Sequence, residues 1–164
     1  MPTLRDITGI LEDAWTRLDE GADAPAGPAI YPFPGDVAGN DPALTGIHIA
    51  NDVDPESVVP MFDRVSLISV AFPAFTDGRG FSIGRRLREA GYTGRLRATG
   101  PVLADQFRYL LECGFDEVEV PDALAARQPQ EQWERAADAV TLNYQRGYAG
   151  RRNILEARRE ARGV

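Results

Sequence analysis

The sequence predicts an α/β fold: an open parallel sheet of about four to five strands with helices packed on it. Three observations carry this expectation. From Leu44 to about Leu142, short extended apolar runs alternate with amphipathic helical stretches in the order β-α-β-α-β-α-β-α. The strongest run, Val65-Ser-Leu-Ile-Ser-Val-Ala71, is almost continuously apolar, as a strand covered on both faces should be. Glycines stand where helices should stop, at Gly91 and Gly114. Strand–helix–strand order of this kind implies right-handed crossovers and parallel pairing. A half-barrel completed by dimerisation is the alternative architecture.

Taken in order, Ile7, Ile10, Leu11, Ala14, Trp15 and Leu18 follow a helical period and predict an amphipathic helix. Gly9 interrupts that pattern, and the same residues also suit a hairpin. Residues 21–43 hold Pro25, Pro28, Pro32, Pro34 and Pro42, which excludes a helix and leaves only Ala29-Ile-Tyr31 as a short edge strand. Gly46-Ile-His-Ile-Ala50 is the first regular strand. Asp54, Pro55 and Glu56 then supply an N-cap, a first helical residue and a first-turn acid. After strand 65–71 comes a helix over 80–90, with Ile83, Leu87 and Ala90 inward. A strand over 95–98 leads to a helix over 101–113, opened by Pro101. Glu117-Val-Glu-Val120 alternates as an edge strand with one wet face should, and Trp133, Ala136, Ala137 and Val140 line a last helix over 130–142. Residues 1–43 therefore read as an N-terminal segment and linker, 44–145 as the α/β domain, and 146–164 as an Arg-rich tail.

Composition narrows the functional classes. The apolar runs fall far short of the ~20 residues of a membrane span, and acidic Asp6, Glu12 and Asp13 occupy the place of a basic signal-peptide start, so a cytoplasmic protein is expected. The single Cys113 excludes an intramolecular disulfide, and with the single His48 it leaves no evident metal or cofactor site. All 18 basic residues are arginine, so lysine chemistry is absent. A net charge of −7 argues against nucleic acid as a partner. That charge is uneven: residues 143–164 carry +4, and the rest carries −11.

In open parallel sheets, ligands bind beyond the carboxyl ends of the strands. The richest such segment is the loop from Phe72 to Ser82. It sets Phe75, Asp77, Gly78, Arg79, Gly80, Phe81 and Ser82 between the best strand and a helix start. Free N–H groups, close glycine backbone and an arginine fork suit an oxoanion or phosphorylated ligand. The bland alternative is a tight turn with positive φ at Gly78 and Gly80, closed by an Asp77–Arg79 salt bridge. The glycine spacing departs from the dinucleotide fingerprint, and Ala98-Thr99-Gly100 stands where its ribose-binding acid should be. Arg97, inside a strand, needs a carboxylate partner, for which Asp77 and Asp105 are candidates. If instead it turns to the same pocket as Arg79, the two would bind one anion.

Four blocks, Phe72–Ser82, Arg95-Leu-Arg-Ala-Thr-Gly100, Val102-Leu-Ala-Asp-Gln106 and Cys113-Gly-Phe-Asp116, closely resemble a bacterial domain-of-unknown-function family. Its members are commonly labelled oxidoreductases of sulfite reduction and sit beside the gene for the sulfite or nitrite reductase haemoprotein. The resemblance covers roughly residues 44–145, and Gly100-Pro-Val-Leu103 replaces the family's usual Gly-Asp-Val-Leu. It implies an accessory protein of assimilatory sulfite reduction with that haemoprotein as partner. The residues themselves leave two further readings open: a small enzyme or binding protein for an anionic ligand, and a dimeric scaffold without ligand.

Overall fold

The computed structural model describes residues 2–138. Its strands are β1 (Thr3–Asp6), β2 (Gly9–Leu11), β3 (Thr16–Arg17), β4 (Ala29–Pro32), β5 (Thr45–Ile49), β6 (Leu67–Ala71), β7 (Arg95–Thr99) and β8 (Glu117–Val120). They form one sheet in the order β2-β1-β8-β7-β6-β5-β4-β3. The helices are α1 (Arg79–Glu89), α2 (Ala104–Glu112), α3 (Asp122–Ala125) and α4 (Gln130–Asp138), with a 3-10 helix over Pro55–Arg64 between β5 and β6.

The four expected strands are present and parallel: β5 to β6, β6 to β7 and β7 to β8. The sheet is larger than expected and mixed, because β1 pairs antiparallel with both β2 and β8. The N-terminal residues therefore form a hairpin in place of a helix. Gly9, at φ 130, adopts a backbone that a helix cannot contain, and Ile7 and Ile10 are left exposed. Ala29–Pro32 is a strand, but β3 lies outside it, so β4 is not the edge. Nor is β8 an edge: β1 and β7 flank it, and all four of its residues are buried.

Strand parity separates two faces. Ile47, Ile49, Ile68, Val70, Leu96, Ala98, Val118 and Val120 face the helices and join Phe81, Ile83, Leu87, Phe107, Leu110 and Trp133 in one core. Asp54 caps the 3-10 helix as expected, accepting from Glu56 N at 3.3 Å, and Pro55 follows it. Gly91 and Gly114 hold φ of 103° and 96° just past α1 and α2. α2 starts at Ala104, so Pro101 lies in the preceding turn and is not its first residue. The continuation of α4 toward Leu142 and the Arg-rich tail lie outside the described residues. No helix among those described is long and apolar enough to cross a membrane.

The opposite face is concave. Strands β3 and β8 are five positions apart, which in a flat sheet means ~24 Å. Yet Arg17 on β3 bonds Glu119 on β8 at 2.7 Å. The sheet is curled into a half-barrel, and residues 12–15 cross its hollow from the β2 edge to the β3 edge.

Candidate functional site

Beyond the carboxyl ends of β5 and β6 lies an open cleft of about 470 Å³, lined by Asn51 to Pro55, Arg79, Ser82, Ile83 and Arg86. Asp77 holds two of the residues that line it, Asn51 and Arg79. Its carboxylate accepts from Arg79 Nε and Nη2 at 3.0 and 2.7 Å, from the Arg79 amide at 3.2 Å, and from Asn51 Nδ2 at 2.7 Å. The Arg79 side chain, then its backbone amide, with Asn51, hold Asp77 well below the ordinary carboxylate range. Asn51 is buried at the end of β5, so this carboxylate ties two strand ends together. Arg79 itself is 62% exposed. Arg86, the second cation of the cleft, pairs with Asp54 at 3.1 Å. With Asp52 also on the rim, both arginines are answered by carboxylates, and the cleft offers no surplus positive charge.

Neither Gly78 nor Gly80 serves turn geometry, and only Gly80 is demanded by packing. Gly78 has φ −84°, and Gly80 is helical, so neither has the positive φ expected of a tight turn. A Cβ on Gly80 would collide with the Phe72 ring. Phe81 is buried, edge-on to Phe72 with centroids 5.1 Å apart and tilted against Tyr109 at 4.8 Å, so it belongs to the core. Phe75 is 53% exposed on the loop crest, its carbonyl held by Gln106 Nε2 at 2.7 Å. Ser82 is exposed in the first turn of α1. Asp105 lies elsewhere, in a cleft of about 520 Å³ with Arg108, Gln132, Arg135 and Ala136. Among the described residues, no group of three or more His, Cys, Asp or Glu side chains is disposed to hold a metal ion. Cys113 is buried at the end of α2, and burial pushes its thiol up against the opposing pull of Arg85.

Arg97 does not join Arg79. Its partners are neither Asp77 nor Asp105, but Glu117 at 2.7 Å, Glu119 at 3.1 Å and Asp13 at 2.7 and 3.0 Å, all on the concave face. Burial alone would lower its pKa, but the hydrogen bonds and charges of Asp13 and Glu117 raise it above the ordinary arginine value. Around it runs a polar row. His48, Ser69, Arg97 and Glu117 are register partners on β5 to β8, and Thr99 and Glu119 form the next pair up. His48 Nδ1 meets Ser69 Oγ at 2.9 Å, Ser69 meets Thr99 at 2.7 Å, and Arg17 reaches Thr99 at 3.3 Å. Burial, then Arg17, pulls the His48 pKa down to about 4.

Asp13, Arg17, Ser69, Thr99, Glu117 and Glu119 are absent from the sequence-based site. A signal for most of it exists: from β5 to β8, polar residues such as His48, Ser69, Arg97 and Glu117 fall on one parity of each strand, against an apolar opposite parity. Nothing local announces Asp13, which is 84 positions from its partner.

Residues 46–155 match the family described as "Bacterial protein of unknown function (DUF934)". The match spans two-thirds of the sequence, from β5 through α4 and beyond, and the chain belongs to this family. Neither the curated proteins nor the solved structures contain a significant match to it.

Proposed function

We propose that the chain is a cytoplasmic accessory protein of assimilatory sulfite reduction, and that it works by docking on the sulfite/nitrite reductase haemoprotein. One observation carries this over a small-anion reading of the same loop. The arginines of the carboxyl-end cleft are already neutralised by Asp77 and Asp54, while Phe75, Asp52, Asp54 and Glu56 stand exposed around them. A solvent-exposed aromatic among carboxylates suits a protein surface of opposite charge better than it suits a free anion. The −11 carried by residues 1–142 adds long-range attraction toward a basic patch. The partner's identity comes from the resemblance of the four sequence blocks, one of which contains Phe75 and Asp77.

The test is binding of the purified full chain to the haemoprotein of the same host, measured at low and raised ionic strength. The expected result is an affinity that falls with salt. Phe75→Ala should lower it by roughly thirtyfold, as loss of a hot-spot side chain of about 2 kcal/mol would. Charge reversal by Asp54→Arg with Glu56→Arg should mainly slow association. A chain that does not bind the haemoprotein, or binds it regardless of salt and of these substitutions, overturns the proposal.

A further inference from the structure

We propose that the hollow of the half-barrel is a binding site for a small monocarboxylate anion, and that the chain fills it with its own Asp13. The receptor is the outer edge of Arg97, a side chain with 0% exposure. Its inner edge is fixed by β8: Nε donates to Glu117 at 2.7 Å and Nη1 to Glu119 at 3.1 Å. The two remaining outward donors hold Asp13 in a bidentate fork, at 2.7 and 3.0 Å. This planar two-on-two match is the geometry by which an arginine fork holds a carboxylate.

The occupant differs from the receptor in how it is held. Asp13 comes from the 12–15 crossing, which is neither helix nor strand, and its side chain is 23% exposed. Its other hydrogen bond is local, from the Trp15 amide at 3.1 Å. Every receptor group, by contrast, is carried on a strand of the sheet. Further donors line the approach: Arg17 on Thr99 and Glu119, and the Ser69 hydroxyl between His48 and Thr99.

The charge balance agrees. Arg17, Arg95 and Arg97 face Glu117, Glu119 and Asp13, three against three. Lifting Asp13 out leaves the hollow one positive charge in excess, the charge that one carboxylate neutralises. The inference is independent of the docking role, since it concerns a different face of the sheet.

The experiment uses the full-length Asp13→Gly variant, titrated with formate, acetate and phosphate at constant ionic strength against matched chloride. Thermal unfolding is the readout. The variant should melt below the wild type, and formate and acetate should restore it saturably. Three non-hydrogen atoms limit formate to a dissociation constant of about 1 mM at best. The wild type should respond to these anions no more than to chloride at the same concentrations. Should Asp13→Gly fail to fold, Asp13→Asn is titrated in its place, with the same expectation. In the wild type, near-molar acetate should speed amide exchange in residues 12–17 as it competes for Arg97. Restoration no better than chloride, equal responses of variant and wild type, restoration by phosphate alone, or unchanged exchange in residues 12–17 would each overturn the proposal.

Discussion

Replacing Arg97 by Met removes the charge around which the concave face is arranged while keeping an unbranched side chain of similar length. Three carboxylates lose a partner, but not equally. Glu119 retains Arg17 at 2.7 Å, and Asp13 is partly in water, so the damage concentrates on Glu117. That residue is 2% exposed and keeps only Arg95, at 3.4 Å. Breaking a buried pair from one side costs about 3–5 kcal/mol. At about 3 °C per kcal/mol for a chain of this size, the melting temperature should fall by roughly 9–15 °C near neutral pH.

The pH dependence gives the loss a distinctive sign. Burial already pushes the Glu117 carboxyl above its ordinary value, against the pull of Arg97 and Arg95, and removal of Arg97 pushes it further. An acid whose folded pKa exceeds its unfolded one binds its proton more tightly in the native state, so its contribution to stability falls as pH rises between the two values. The deficit of Arg97→Met relative to the wild type should therefore be smaller at pH 5 than at pH 8. Adding Glu117→Leu should recover part of it and flatten that dependence. Thermal and urea unfolding followed by circular dichroism measure both effects. A loss under about 1 kcal/mol at neutral pH, or a deficit that widens on acidification, would refute this account of the network.

Two further outcomes follow from other parts of the fold. Gly84→Ala places a methyl group inside the Phe115 ring, which is itself packed on Phe72 at 5.7 Å. Overpacking of about 1–3 kcal/mol outweighs the better helix propensity of alanine, so the urea midpoint should fall; a midpoint equal to or above wild type refutes the packing. His48, with its pKa pulled down to about 4, should remain neutral at pH 5.5 by NMR titration. An unfolded histidine takes up a proton below its usual value of about 6.5, so stability should decline as pH falls from there toward 4, by up to about 3 kcal/mol. His48→Gln should remove that slope; an ordinary titration midpoint in the native protein contradicts the buried setting.

The central strands were legible because each is a short buried run closed by a capped helix, and burial on both faces leaves an almost unbroken apolar stretch such as 65–71. The N-terminal segment was not. Ile7, Ile10 and Leu11 fit a helical period over too few turns to exclude a hairpin, and pairing with β8 settles the matter from more than a hundred positions away. Glu117-Val-Glu-Val120 misled for a different reason. Alternation reports a polar environment on one face, and a buried guanidinium satisfies that pattern as well as water does. At the candidate site, the Asp77–Arg79 pair was readable because it is local. The partners of Arg97 come from an adjacent strand and from the 12–15 crossing, and only the assembled sheet brings them to it.

The N-terminal residues supply β1 and β2 at one margin of the sheet and β3 at the other, and β1 rests on β8. During synthesis these residues leave the ribosome well before β8, their partner strand, which is made more than a hundred residues later. At translation rates of about 5–20 residues per second, the arm must wait at least several seconds with its backbone donors and acceptors unpaired. Its apolar tip, Ile7 and Ile10, is available over the same interval. Contacts so distant in sequence also slow the search for the native pairing. The parallel core from β5 to β8 is then the unit expected to condense first, and docking of the arm the late step that closes the margin and traps Asp13 against Arg97.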